Sequence, residues 1–276
     1  MLVRLPEPYD FELSTERFRA FGRDPVNVWE EGRLYRVLGG AEVALAAAPR
    51  GVRVEPRDAG RKDAIRRFLG ASFDLDGFTA FARVSDPVLA RIVAGLPGLR
   101  PLLIPDPFEM LVGSITAQQV SLYAAGAIRA RLVERYGRRA DRAYAFPRPE
   151  DVARASPEDL TALGFSRRKA EYTLALARSD LDLAALAVRP DEDVKRTLTA
   201  LPGLGEWTAD WFLARHLGRP DAWPAGDVGL RKAVAAFYLV GRAASANEVR
   251  AFGERFSPFR NLAAQYLLVA LRVLRT

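Results

Sequence analysis

Hydrophobic positions along this chain follow two periods, and the change between them falls near residue 74. From Tyr9 to about Glu55 the apolar residues come in short alternating or β-rich runs. Examples are Arg33-Leu-Tyr-Arg-Val-Leu38, Glu42-Val-Ala-Leu-Ala46 and Gly51-Val-Arg-Val-Glu55. A period of two is what a strand with one buried face requires. Gly39-Gly40, between two such runs, predicts a hairpin turn, and Thr15 to Phe21 predicts a short helix. Residues 1–74 therefore form a small antiparallel β-sheet domain with a helix on one face.

After Asp74 the period becomes helical and stays so. Asp86-Pro87 and Asp106-Pro107 each set a capping side chain before a proline at the first helical position, predicting helices to about Gly95 and Ala117. Behind Ser121, residues Leu122, Ala125, Ile128, Leu132 and Tyr136 recur at helical spacing until Gly137. Ser156-Pro-Glu-Asp159 carries the capping-box pattern, and Ser166 opens a helix ending near Ser179. Helices over 191–200 and 206–217 are joined by Leu201-Pro-Gly-Leu-Gly205, and others follow over 228–240, 246–256 and from Pro258 onward. Residues 75–276 thus read as all-helical, and the fold class is α+β. No period of 20 to 50 residues repeats, which excludes a solenoid.

Composition narrows the function classes. Hydrophobic residues make up 49% and charged residues 27%, the balance of a globular protein. Lys and Arg number 41 against 34 Asp and Glu, a net charge of +7 that favours a polyanionic partner. Absence of cysteine excludes disulfides, Cys-ligated zinc and iron–sulfur clusters. No apolar run approaches the roughly 18 residues that span a bilayer, and Met1 to Asp10 carries no export leader. The expectation is a cytoplasmic monomer with no membrane contact.

The turn at 201–205 carries the first candidate chemistry. A Gly-x-Gly corner opening a helix points bare N–H groups outward, a device for gripping a phosphate without reading sequence. Gly203 and Gly205 are expected to relieve crowding there and to adopt positive φ. Purely structural hairpins use the same turn. Asp227, taken alone, reads as a helix N-cap, and as a carboxylate beside whatever the turn holds it can do both. His216, the only histidine, has no partners for metal or triad chemistry and reads as a surface or packing residue. Arg129, Arg131, Arg135, Arg138 and Arg139 read as a solvated face that can attract phosphate.

The hairpin, continued through Trp207-Thr-Ala-Asp-Trp-Phe212, Trp223-Pro224 and Asp227-Val-Gly-Leu-Arg231, resembles the helix-hairpin-helix DNA glycosylase superfamily. Within it the chain is similar to the bacterial 3-methyladenine DNA glycosylase II family, AlkA type. Pro8-Tyr-Asp10, Asp106-Pro-Phe-Glu109, Ile115-Thr-Ala-Gln-Gln-Val-Ser121, Leu163-Gly-Phe-Ser-Arg-Arg-Lys-Ala170 and Glu254-Arg-Phe-Ser-Pro-Phe-Arg260 extend the likeness over nearly the whole chain.

That resemblance implies a helix-hairpin-helix glycosylase domain behind a TBP-like sheet domain, and hydrolysis of the bond joining an alkylated base to deoxyribose in base excision repair. The partner would be double-stranded DNA with damaged bases such as 3-methyladenine and 7-methylguanine. The target nucleotide would be flipped out at a cost of about a few kcal/mol. Asp227 would stabilise an oxocarbenium-like transition state and orient water. Trp207 and Trp211 would line the base pocket, and Gln119, with Gln118 beside it, would plug the vacated stack where best-known members carry leucine. Gly203, Gly205 and Arg231 would hold phosphates. No cofactor is required, but main-chain carbonyls of Thr199, Leu201 and Leu204 would bind a structural cation at the hairpin. In bifunctional branches, such as 8-oxoguanine DNA glycosylase, a lysine that forms a Schiff base with the sugar stands two residues after the second glycine. Here Trp207 stands there, implying no AP-lyase activity. The family's further stacking aromatic falls at Leu268, which leaves open a glycosylase for oxidised or deaminated bases. A non-catalytic helix-hairpin-helix DNA-binding protein is the remaining alternative.

Overall fold

A computed structural model describes residues 1–274. Five antiparallel strands, β1 (Leu2–Arg4), β2 (Val28–Glu30), β3 (Arg33–Leu38), β4 (Ala41–Ala48) and β5 (Gly51–Glu55), form one sheet in the order β1-β5-β4-β3-β2. The expected hairpin closes with Leu38 opposite Ala41, and both intervening glycines take positive φ. Alternation buries Leu34, Arg36 and Leu38 of β3 on one face. Against that face lie α1 (Phe11–Ser14), α2 (Arg17–Ala20) and α3 (Lys62–Phe68), with Phe11, Ile65 and Phe68 in its apolar core.

The single helix expected over 15–21 is instead this α1–α2 pair. Asp10 starts a helix early by accepting the N–H of Leu13 at 2.8 Å. Thr15 then ends it, its hydroxyl donating to the Phe11 carbonyl at 2.6 Å. Arg17 and Phe18 of α2 line the cavity described below, Phe18 also stacking on Phe68 of α3.

The helical body runs through α4 (Leu75–Ser85), α5 (Pro87–Gly95), α6 (Pro107–Ala117) and α7 (Leu122–Tyr136). A two-stranded ribbon, β6 (Arg138–Arg139) and β7 (Tyr144–Ala145), comes next. Then follow α8 (Pro149–Val152), α9 (Pro157–Ala162), α10 (Arg167–Ala177), α11 (Asp191–Thr199), α12 (Glu206–Phe212), α13 (Val228–Tyr238), α14 (Ala246–Gly253) and α15 (Arg260–Val273). Caps read from sequence make their bonds: Asp86, Asp106, Ser121, Ser156, Ser166 and Ser245 each accept a first-turn N–H. Beyond α12, residues Leu213–Leu217 widen into a π-helical turn that ends at Gly218 in the left-handed region. Among the described residues no helix is long and apolar enough to cross a membrane.

Two apolar cores meet at the junction, where Val26 packs into the larger core and Leu102 into the sheet's. Buried charge fastens the two units. Arg36 reaches from the sheet to Glu109 on α6 at 2.6 Å and to Asn27 at 2.5 Å, both partners being buried. Burial pushes the Glu109 carboxyl above its ordinary range, against the pull of Arg36. Asp24 pairs with Arg129 of α7 at 2.7 Å. Arg129 is therefore a fastener rather than part of a solvated face. Arg131, Arg135, Arg138 and Arg139 are exposed as expected, Arg131 and Arg138 also donating to the Leu163 and Gly40 carbonyls.

Candidate active site

The hairpin is built by α11 and α12, clamped side by side by Lys195 and Asp210 at 3.0 Å. Its corner needs glycine at one position. Gly203 has φ +79, and a Cβ there would fall 2.2 Å from the Tyr172 ring. Gly205 differs from expectation: its backbone is extended, and a Cβ would meet nothing within 4 Å. Crowding inside the chain thus explains Gly203 only. Gly205 is the N-terminal residue flanking α12, and the open space beside it leaves the helix's first N–H groups accessible. Thr199 donates its hydroxyl to the Lys195 carbonyl, and Leu201 accepts the N–H of Leu204 at 3.2 Å. Among the described residues no group of His, Cys, Asp or Glu could hold a metal.

Asp227 is the point on which the geometry converges. It caps α13, its Oδ1 accepting the Leu230 N–H at 2.9 Å. Its Oδ2 accepts both indole N–H groups, from Trp207 at 2.9 Å and Trp211 at 3.1 Å. The carboxylate is half-buried, and it opens on a cavity of about 1010 Å³ that Gln118, Gln119, Gly205, Trp207 and Trp211 also line. One carboxylate, fixed by three N–H donors at the rim of a space large enough for a nucleobase, is suited to facing a developing positive charge.

The tryptophans do more than offer ring faces. Their N–H groups set the orientation of Asp227, and one face of Trp211 is already covered by the Arg215 guanidinium, 3.7 Å from the ring centre. Trp211 is buried and Trp207 half-buried. Leu268 stands in the cavity wall on α15, against the backbone of Gly229.

The loop between α6 and α7 carries the two glutamines. Gln118 is turned inward, donating to the Gly203 carbonyl at 2.8 Å, which ties this loop to the hairpin corner. Gln119 is exposed at the tip with φ +56, a left-handed conformation that costs about 1–3 kcal/mol outside glycine. Val120, Leu122 and Tyr123 beside it are 40%, 51% and 62% exposed, an apolar rim that the sequence reasoning missed. Arg231 is anchored through one of its three nitrogens. Its Nε donates to the Ala244 carbonyl at 2.7 Å, leaving only its outer nitrogens available.

Several motif residues are structural. Trp223 donates to the Val249 carbonyl and covers Gly253, and Arg260 holds Asp221 at 2.6 Å and Glu254 at 2.7 Å. His216 is buried, its Nδ1 2.8 Å from the Ile104 carbonyl and its ring against Phe212. Burial lowers its pKa below the ordinary histidine value.

Also missed from sequence were the cavity's cations. Arg17 from the sheet domain and Arg215 from the π-helical turn both line it, with Arg272 and Gln265 of α15. Burial pulls the Arg17 guanidinium down to about 10, and Arg129 and Arg272 add to that pull. Burial lowers Arg215 further, with Arg17 repelling it and Asp227 opposing the effect. Arginine keeps its proton in proteins, so both guanidiniums bring positive charge to the cavity wall.

Proteins similar to this chain in sequence and in shape agree in kind. A DNA-3-methyladenine glycosylase of Bacillus subtilis is 29% identical over 77% of this chain and 74% of its own length. DNA-3-methyladenine glycosylase 2 of Escherichia coli is 32% identical over 67% of this chain and 65% of its own. The chain spans only 57% of another Bacillus subtilis relative. The solved 3-methyladenine DNA-glycosylase of Archaeoglobus fulgidus superposes with a TM-score of 0.88 at 29% identity, covering 100% of both chains. Residues 112–258 match the profile of the HhH-GPD superfamily of base excision DNA repair proteins, and the chain belongs to that superfamily.

Proposed function

We propose that this protein is a monofunctional DNA glycosylase that excises alkylated bases, 3-methyladenine and 7-methylguanine among them, from double-stranded DNA. The observation that carries this reading is the Asp227 carboxylate, held by two indole N–H groups and a backbone N–H on the wall of a base-sized cavity. A base alkylated at N3 or N7 is cationic and leaves as a neutral molecule, so no strong general acid is needed. The negative charge of Asp227 faces the sugar as it becomes oxocarbenium-like and orients the attacking water.

Around that centre the other residues take positions that suit an everted nucleotide. Gln119, exposed at its loop tip, fills the emptied stack, and Gln118 braces the loop against the hairpin. Gly205 admits a phosphate to the start of α12, Gly203 shapes the corner, and Arg231 adds its outer nitrogens. A monovalent cation on the carbonyls of Thr199, Leu201 and Leu204 would strengthen the same grip without entering the chemistry. No cofactor is needed, and the protein acts as a monomer in the cytoplasm.

Trp207 occupies the position where a Schiff-base lysine would have to stand. The test is a duplex carrying one alkylated base, incubated with the protein and then split. One half is analysed for free base, the other for strand breaks before and after alkali. Free base with strands intact until alkali treatment supports the proposal. No release overturns it, and breaks without alkali, or an adduct trapped by borohydride, overturn the monofunctional assignment.

A further inference from the structure

Lys169 of α10 is a buried ammonium without a carboxylate. It is 8% exposed, and among the described residues it forms no ion pair. Its Nζ donates to one acceptor, the Thr116 carbonyl, at 3.0 Å. Burial lowers its pKa below the ordinary lysine value, and no carboxylate opposes the shift. Lysine is almost never fully buried unless paired, because an unpaired charge in the interior is costly. Capping a helix does not require that cost, since water or an exposed lysine satisfies a last-turn carbonyl equally well.

What Lys169 holds supplies the reason. Thr116 lies in the last turn of α6, which has no basic residue of its own, so the ammonium meets the negative end of that helix. Two residues on, Gln118 donates to the Gly203 carbonyl at 2.8 Å, and Gln119 then takes φ +56. A residue other than glycine keeps such a conformation only where its surroundings over-determine it. On one side of Gln119 the chain is held by Ser121, whose hydroxyl accepts the Ala124 N–H at 3.2 Å. On the other it is held by Gln118 and, behind it, by Lys169. Tyr172, one turn along α10 from Lys169, packs against Gly203. The same helix therefore touches the root of the glutamine loop and the hairpin corner, and the bond from Gln118 to Gly203 closes the triangle. Thr116, Gln118 and Gln119 line the cavity, with Lys169 supporting that wall from behind.

We propose that Lys169 is a positioning residue: it holds the end of α6 so that Gln119 stands in its inserting conformation before DNA arrives, in fixed register with the hairpin. The assignment rests on the reading above, that Gln119 fills the stack an everted nucleotide leaves. Lys169 acts through the loop and touches neither base nor sugar. Its loss slows eversion from a paired duplex and leaves cleavage of an unpaired nucleotide largely as it was.

Single-turnover release of 7-methylguanine is measured from a paired duplex and from a single strand. The proteins are wild type, Lys169→Met, Lys169→Arg, Gln119→Ala and the double variant Lys169→Met with Gln119→Ala. The readout is the ratio of duplex to single-strand rates, because a general fold defect lowers both rates alike. Lys169→Met is expected to lower that ratio about tenfold. Lys169→Arg still donates to the Thr116 carbonyl and should hold the ratio within about twofold of wild type. The double variant should fall no further than Gln119→Ala alone, since the group being positioned is already gone. Methionine approximates the lysine stem without its charge, a replacement that buried sites tolerate. Should that variant fail to fold, Gln118→Ala removes the other anchor and must lower the same ratio. Equal slowing on both substrates, an Arg variant no better than Met, or additive losses in the double variant overturn the positioning role and leave the glycosylase assignment standing. Release from neither substrate by the wild type overturns the reading on which it rests.

Discussion

Replacing Asp227 by asparagine tests the site and the fold in one protein. Three N–H donors converge on the carboxylate, two indoles on Oδ2 and the Leu230 amide on Oδ1. An asparagine has one acceptor oxygen and one NH2, so it cannot satisfy both sides. With its oxygen toward the indoles, its NH2 faces the Leu230 N–H and α13 loses its cap, at a cost of about 0.5–2 kcal/mol. With the opposite orientation, two hydrogen bonds to a charged group are lost, each worth about 1.5–3 kcal/mol. The first orientation wins, and Asp227→Asn should lower stability by about 1 kcal/mol and Tm by about 2–4 °C. The rate effect is larger. A unit charge about 4 Å from the developing cation contributes about 4 kcal/mol at an effective dielectric constant near 20, or about a thousandfold in rate. Base release under single turnover, duplex affinity by fluorescence anisotropy and a thermal melt read these quantities separately. Release within tenfold of wild type, at unchanged affinity, would refute the electrostatic role of the carboxylate. An unchanged Tm would refute the capping account.

Other perturbations separate residues that the sequence alone makes look alike. Gly203→Ala puts a Cβ onto Tyr172 at positive φ and should cost about 2 kcal/mol or more in a denaturant melt. Gly205→Ala should melt like wild type yet bind duplex more weakly, and unaltered binding would exclude a phosphate at that corner. Gln119→Ala should slow release from a paired duplex more than from a single strand, where no vacated stack needs filling; equal slowing on both would dismiss the plug. Glu248 accepts the Ser245 N–H and pairs with Arg242, and the first of these leads in pulling its carboxyl down to about 2. Because that folded value lies below the ordinary 4.5, its contribution is present above 4.5 and disappears as pH falls toward 2. The Tm gap between wild type and Glu248→Gln should therefore be visible at neutral pH and close across that window, and a gap independent of pH would contradict the capping-box account.

What could be read from sequence was what neighbours along the chain decide. Asp86, Asp106, Ser121, Ser156, Ser166 and Ser245 cap the helices expected of them because a cap needs only a side chain and an amide three residues on. Spacing likewise put Trp207 and Trp211 on one helix face, but it could not say that their N–H edges meet Asp227 while Arg215 takes a ring face. The helix break at Thr15 escaped because it depends on a hydroxyl choosing a carbonyl behind it over solvent. Net charge was informative in sign and silent on place: of the cavity arginines, Arg36, Arg129 and Arg272 hold the two domains together, while Arg17 and Arg215 pair with no carboxylate among the described residues.

One of these was open to inference. Strict alternation in Arg33-Leu-Tyr-Arg-Val-Leu38 puts Arg36 on the same face as Leu34 and Leu38, and a buried guanidinium must find a buried acid. The motif Asp106-Pro-Phe-Glu109 offered one, on the first turn of a helix otherwise buried along most of its length. The pair spans the two domains at 2.6 Å, so the sheet is a wall of the cavity rather than an appendage. Removing one partner should cost about 3–5 kcal/mol. Because Arg36 and Glu109 both line that cavity, Glu109→Gln should slow base release as well as lower stability. A variant that melts early yet releases base at the wild-type rate would show that docking and catalysis are independent.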